Sequence, residues 1–333
     1  MGLKLLITGG TGSFARNFIK YVLKTDEFET IRVYSRDEHK QTELLGEYGG
    51  IKGGSDNRVR GFIGDIRDLD RLRMAMQGID VVVHAAALKQ VQSCEYNPLE
   101  TIKTNIMGSA NVIQAALDNN VDRVLAISTD KAVSPLNLYG STKMCMEKLF
   151  INANSYRGKN RRTKFCCTRY GNVADSRGTV VHIWREQIIK SIPLKVTNDT
   201  ATRFWITMSQ ANRFVLDTIT DMNDFSGGEI FVPFMDSVRL PELREAMAGK
   251  DYPFEIIGER IGDKIHEALV LKEELRHSVA YHNKIVVTPE DPSWPYVLPD
   301  VKPLILDKTH DYTSLSNGRF LSADEIRETL AKS

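Results

Sequence analysis

Cysteine is scarce: four residues in 333, at positions 94, 145, 166 and 167, with no CxxC spacing. That excludes a secreted disulfide framework, and the absence of any Cys/His cluster at ligand spacing leaves no metal site to expect. Cys166 and Cys167 fall in a strand-like run, Phe165–Tyr170, where a free thiol packs as a small hydrophobe. An excess of either charge is also missing. The 44 Lys and Arg nearly balance the 43 Asp and Glu, leaving a formal net charge of +1. Such a chain has no electrostatic footprint for nucleic acid or for an anionic membrane. No apolar run approaches the length that spans a bilayer, and there are no repeats or low-complexity segments. Met1–Ile7 runs straight into a glycine loop and reads as a strand, not a signal peptide; Leu6 stands where myristoylation at Gly2 would want Ser or Thr. A cytoplasmic protein with a full core, one large domain and a smaller lobe is expected.

What the chain does have is alternation. Leu3–Thr8 is an apolar strand, followed by Gly9-Gly10-Thr11-Gly12-Ser13-Phe14-Ala15, and Phe14, Phe18 and Val22 continue as one helical face. Gly9, Gly12 and Ala15 have the spacing of a dinucleotide fingerprint, in which glycines admit a pyrophosphate to the backbone and a helix N-terminus offers it N–H groups. The second strand, Ile31–Tyr34, ends in Ser35-Arg36-Asp37-Glu38-His39-Lys40. A carboxylate there suits the ribose of NAD and an Arg suits the 2′-phosphate of NADP. Arg36 and Lys40 favour NADP, while Asp37 keeps NAD open.

The glycine-rich Gly46–Gly54 reads as a surface loop. Strand three, Val59–Ile63, precedes Gly64-Asp65-Ile66, where Asp65 either faces adenine or, like Asp68, caps a helix. Strand four, Asp80–His84, leads to the small residues Ala85, Ala86 and Ala87, which let the chain pass beneath a cofactor. Lys89 lies just beyond, placed either for the anionic end of a substrate or for solvent. A helix begins at Pro98, passes through Thr104, Asn105 and Met107 to Leu117, and stops at Asn119-Asn120.

Strand five, Val124–Ile127, delivers Ser128-Thr129-Asp130-Lys131 and then, after Pro135, Tyr139-Gly140-Ser141-Thr142-Lys143. An acid, two amines and a phenol thus gather where a strand ends and a helix begins, the edge at which open α/β sheets bind ligands. Tyr139 and Lys143 are four apart and share a helix face; an ammonium beside a phenol lowers its pKa and makes it a usable base. Six such repeats predict an α/β fold, a Rossmann-type doubly wound parallel sheet over residues 1–170. Residues 171–333 then form a smaller mixed α/β substrate lobe, with some segments returning to the first domain. Arg177, Arg203 and Arg260, each near Gly or Thr, suit a diphosphate. Ser322-Ala323-Asp324-Glu325 reads as the capped start of a last helix.

Together TGGTGSF, VYSRDEHKQ, FIGDIRD, HAAALKQV, STDKAVSPLNLYGSTK, RYGNV, TRFWIT and DYTS carry a resemblance over nearly the whole chain. The sequence resembles the extended short-chain dehydrogenase/reductase superfamily and, within it, the configuration-inverting UDP-N-acetylglucosamine 4,6-dehydratases that open pseudaminic acid and related surface-polysaccharide synthesis. The resemblance implies that Thr11 to Phe14, Ser35 to Lys40, Asp65, Ile66, Ala85, Ala86, Thr104 and Val173 line NADP. It implies that Lys89, Thr129, Asn172, Arg177, Thr197, Arg203, Arg260 and Asp263 line the UDP-sugar. Tyr139 and Lys143 would serve the C4 oxidation, with a neutral Lys131 as the C5 base and Asp130 as the acid at C6. Retaining dehydratases have Asp-Glu where this chain has Asp130-Lys131. Homo-oligomers, hexameric or dimer-based, are also implied. The chain departs from the family pattern at Asp175, at His182, at Ala201 and at Asp263, and these departures leave the exact sugar open. A nucleotide-sugar 4-epimerase shares the Tyr–Lys pair without needing the Asp-Lys pair, and an NADP-sensing protein needs neither.

Overall fold

The computed structural model describes residues 2–48, 56–158, 161–174, 179–260 and 262–331. The first half alternates as its apolar runs demand. β1 (Leu3–Thr8), α1 (Ser13–Val22), β2 (Phe28–Ser35), α2 (Glu38–Tyr48), β3 (Val59–Ile63), α3 (Leu69–Met76) and β4 (Val81–His84) come first. Next are α4 (Val91–Tyr96), α5 (Pro98–Ile102), a π-turn at Lys103–Met107, α6 (Gly108–Asp118), β5 (Arg123–Ile127), α7 (Leu138–Ala153) and β6 (Lys164–Thr168). All four residues of β4 are buried, as are the first four of β5. Continuous apolar runs of this kind are what a parallel strand covered on both faces requires.

The second half adds β7 (Asn172–Val173), α8 (Val180–Ile189), β8 (Leu194–Val196), β9 (Thr202–Ile206), α9 (Met208–Asp221), β10 (Ile230–Pro233), β11 (Asp236–Arg239) and α10 (Leu240–Ala248). It closes with β12 (Phe254–Ile256), β13 (Ala268–Val270), α11 (Lys272–Leu275), β14 (Ser278–Tyr281), β15 (Lys284–Val287), β16 (Lys302–Pro303), β17 (Tyr312–Thr313) and α12 (Ala323–Ala331). Among the described residues one ten-stranded sheet has the order β16-β14-β15-β10-β6-β5-β4-β1-β2-β3. Its run from β3 to β10 is parallel, and β15, β14 and β16 extend the edge antiparallel. The 3-2-1-4-5-6 order is that of a Rossmann fold, with its switch point, and hence its ligand crevice, between β1 and β4. A second apolar cluster, built on Trp184, Trp205, Val238 and Leu243 from α8, β9, β11 and α10, stands apart from the main core.

Two local expectations change. Gly46–Tyr48 belongs to the last turn of α2, with Gly46 exposed on its outer side, and the rest of that glycine-rich stretch to Gly54 lies outside the described residues. The helix expected from Pro98 to Leu117 is interrupted by the π-turn, which swings Asn105 inward. The Asn105 amide accepts from Leu88 N–H (2.8 Å) and donates to Leu88 O (2.9 Å) and to the Thr142 hydroxyl (3.0 Å). A single wider turn thereby ties the loop after β4 to α7.

Candidate active site

Two adjoining clefts open along the C-terminal edge of the parallel strands. The first, about 370 Å³, is lined by the glycine loop, the end of β2 from Tyr34 to Asp37, Lys40, Asp65, Ile66, Ala85–Lys89 and Thr104. Gly9 has φ of +66°, and a Cβ on it would stand 2.8 Å from the Ala86 backbone, so only glycine fits. Gly12, at the N-cap of α1, brings no side chain to the helix end. Ile66 and Ser35 are buried, and the Ser35 hydroxyl accepts from the Gln41 amide at 3.1 Å. Arg36 is exposed and reaches Asp65 at 3.5 Å; Lys40 pairs with Asp37 at 2.8 Å, which holds the Asp37 carboxyl below its ordinary pKa. Asp65 is chiefly the partner of Arg67 (2.7 Å), and Asp68 is the residue that caps α3, accepting from Arg71 N–H.

The second cleft, about 250 Å³, shares Ser13, Phe14, Ala85, Ala87 and Lys89 with the first and continues over Ser128, Thr129, Lys131, Tyr139, Lys143, Asn172 and Val173. The turn that builds it is fixed from several sides. Asn137 caps α7 by accepting Gly140 N–H (2.9 Å), and a Cβ on Gly140 would meet Lys131 O at 2.2 Å, so the helix start is seated directly on the Lys131 turn. From across the chain Asn137 Nδ2 donates to Gly262 O (3.1 Å) and the Lys264 ammonium donates to Val133 O. Asp130 is buried. Its Oδ1 accepts from Thr129 Oγ1 (2.8 Å) and Lys131 Nζ (3.0 Å), while Oδ2 and the buried Ser128 hydroxyl have no hydrogen-bond partner among the described residues. Lys131 Nζ also donates to Asn172 Oδ1 (3.3 Å) and lies 3.7 Å from Glu267 Oε1.

Charge in this cluster differs from expectation at two residues. Burial works against a charged Lys131, but Asp130 and Glu267 beside it prevail and lift its pKa above that of an ordinary lysine. The resting side chain is therefore an ammonium, not the neutral amine expected, because a low-dielectric pocket with two carboxylates favours the cation. Burial pushes the Tyr139 phenol up to about 12, opposed by the Lys131 charge and a Thr129 hydrogen bond. Lys143, pulled down to about 8 by burial, donates to Ile127 O (2.7 Å) and to Met146 Sδ. Lys131 and Lys143 both line the cleft with Tyr139, and the Lys131 charge is the one that opposes the rise of the phenol.

Of the remaining expected residues, Lys89, Thr129, Asn172 and Val173 line the second cleft. Arg203 lines a small cavity beside it, its Nη1 held by Thr202 O (2.7 Å) and Ile265 O (2.9 Å). Arg260 and Asp263 close a turn on one another, and neither they nor Thr197 line the two clefts. Arg177 and Asp175 lie outside the described residues. His182 pairs with Glu186 on α8 and Ala201 is buried against the second cluster. Sequence reasoning missed Glu267. It is a lone acid before the apolar run Ala268–Leu271, and nothing in its spacing ties it to a lysine 136 positions earlier in the chain; only the β13–β17 pairing brings it there.

Comparison with known proteins gives a consistent picture. Residues 5–289 match the family described as polysaccharide biosynthesis protein. The chain is 43% identical over 289 residues to a UDP-N-acetylglucosamine 4,6-dehydratase (inverting) of Campylobacter jejuni, covering 86% of this chain and 83% of that protein. It is 37% identical to a UDP-glucose 4-epimerase of Rickettsia bellii, over 98% and 94% of the two chains. The X-ray structure of Pen from Bacillus thuringiensis superposes over all of both chains with a TM-score of 0.86 and 32% identity.

Proposed function

Because the chain belongs to the polysaccharide biosynthesis protein family, we propose that it is a UDP-N-acetylglucosamine 4,6-dehydratase that inverts C5 and keeps NADP as a resident hydride carrier. Its product would be a UDP-2-acetamido-2,6-dideoxy-hexos-4-ulose, of the kind that opens pseudaminic acid and related surface-sugar synthesis. The observation that carries this reading is buried Asp130 held 3.0 Å from Lys131, whose side chain lines one cleft with Tyr139. A 4-epimerase has no step that calls for an acid and a base there.

The residues fit the cofactor. The Gly9–Gly12 cradle, closed to a side chain at Gly9, suits a diphosphate, and exposed Arg36 and Lys40 at the end of β2 suit a 2′-phosphate. When bound, the nicotinamide supplies the hydride acceptor at C4 of the sugar and the donor at C6. Tyr139 takes the C4 hydroxyl proton, with Lys131 and Thr129 stabilising the phenolate. The ketone so formed acidifies C5–H. Asp130 and Lys131 hold one proton between them, resting on the amine. Shifting it across the 3.0 Å contact to the carboxyl yields the working pair: a neutral amine to take the C5 proton and a carboxylic acid to protonate the departing C6 hydroxyl. Asp130 Oδ2 is buried beside Gly171 without a hydrogen-bond partner among the described residues, and Lys131 is the member of the pair that lines the cleft. The second apolar cluster, with Arg203 at its edge, belongs on this reading to the lobe that holds the UDP-sugar.

Incubation with UDP-N-acetylglucosamine and NADP in deuterated water tests the proposal. Loss of one water by mass and deuterium at C5 by NMR are expected. Lys131→Ala should retain NADP and form no product, and Tyr139→Phe should block the first hydride transfer. Turnover surviving in Lys131→Ala would reject the assigned base. A C4 epimer without deuterium at C5 would make the chain an epimerase, as its Rickettsia relative is named.

A further inference from the structure

We infer that Glu267 is a positioning residue for the Asp130–Lys131 pair: it holds the Lys131 amine at the mouth of the cleft and keeps the pair from losing its single shared proton over the working pH range. The inference rests on the dehydratase reading above. Glu267 is 4% exposed and comes to the pair from the residue just before β13. Its Oε1 lies 3.7 Å from Lys131 Nζ and its Oε2 lies 4.0 Å from Lys264 Nζ. Both contacts are ionic and longer than hydrogen bonds, and Oε2 has no hydrogen-bond partner among the described residues. A buried carboxylate kept only for packing is normally fully hydrogen-bonded. This one is aimed at two ammonium groups instead.

The aim is set by a rigid frame. Glu267 N–H donates to Ser314 Oγ (2.9 Å), and Ser314 N–H donates back to Glu267 O (2.8 Å), just beyond the β13–β17 ladder. The Ser314 hydroxyl in turn meets Thr202 Oγ1 at 2.7 Å. Lys131 is thus held among Asp130 and Asn172 on one side and Glu267 on the other. The other charged or titratable groups facing this cluster are Tyr139 from α7, Arg203 from β9, Lys264 from the preceding loop and Lys89 at the rim; the His266 ring turns away to Thr202.

The consequence is a pH limb. A pair that works with one shared proton is competent between two macroscopic pKa values, the upper of which marks loss of that proton. A carboxylate 3.7 Å from the amine moves this loss to higher pH. In Glu267→Gln the alkaline limb of kcat is expected to fall to lower pH by about one unit. KM for the UDP-sugar should change little, and a reduced nicotinamide signal at the first hydride transfer should persist. Glu267→Asp, with its charge withdrawn by one methylene, should give an intermediate shift.

An alkaline limb unmoved in a folded Glu267→Gln overturns the inference. Should the Gln variant not fold, an unmoved limb in Glu267→Asp overturns it equally. Failure of the wild type to dehydrate the sugar would instead sink the reading of the reaction, and this inference with it.

Discussion

His84 shows what one residue can fix from inside the core. Its ring is fully buried, stacked parallel on Phe150 with centroids 5.7 Å apart. Nδ1 lies 2.7 Å from Thr8 Oγ1 and Nε2 lies 2.9 Å from Ser109 Oγ. Since the Ser109 hydroxyl donates to Asn105 O, Nε2 carries the proton and Nδ1 accepts from Thr8. Burial, helped by the Lys143 charge, drops the imidazole to about 3, well under its ordinary 6.5. Between these values the unfolded chain binds a proton that the folded chain refuses. The contribution of His84 is therefore intact above pH 6.5 and is lost as pH falls toward 3, at about 1.4 kcal/mol per pH unit. Urea titrations at pH 7 and pH 5 should show the acid loss, and His84→Gln should flatten it whatever it does to stability at neutral pH. An equal slope in the variant would assign the loss to carboxylates elsewhere.

At the scale of elements, Arg169 binds three segments. Following β6, its guanidinium forks onto Glu147 of α7 (2.8 and 2.7 Å) and onto Glu274 of α11 (both 2.8 Å), with Leu269 O from β13 as a further acceptor. All three side chains are largely buried, so the helix carrying Tyr139 and Lys143 is tied to the strand that follows Glu267. Arg169→Met would strand two carboxylates in the interior, a change that typically costs about 3–5 kcal/mol. A urea midpoint within experimental scatter of the wild type would show the triad to be slack. This scale also marks where the sequence stops being legible. β1 matches the residues its apolar run predicts, because a strand buried along most of its length writes its own bounds, and β3 matches too although it is a largely exposed edge strand. The Tyr139–Lys143 face is legible for the same reason, as a spacing within one helix. The π-turn at Asn105 is not, since its cause is a bond to Leu88 far outside the helical period. Nor is the charge state of Lys131, to which Glu267 contributes from the other half of the chain.

For the whole molecule, the sheet and its second cluster leave one face without cover. Tyr96 at the end of α4 is 88% exposed, Leu99 on α5 70%, and Met107 in the π-turn 56%. Leu136 and Met144, before and on α7, are also exposed large apolar residues. α4 and α5 both pack on α7, so these side chains flank the same helices that frame the active site. A single exposed Leu needs no explanation, but several on adjoining helices form a patch of the kind that marks an interaction surface. The homo-oligomer that the resemblance implies would cover it with a second copy of the chain, a two-fold contact making one patch serve both partners. Sedimentation equilibrium should find a species larger than 37.6 kDa for the wild type and a shift toward the monomer in Leu99→Glu with Met107→Glu. Because neither Leu99 nor Met107 lines either cleft, the variant should still bind NADP as a monomer. An unchanged mass distribution would place the association surface elsewhere, and a wild type that sediments as a monomer would remove it altogether.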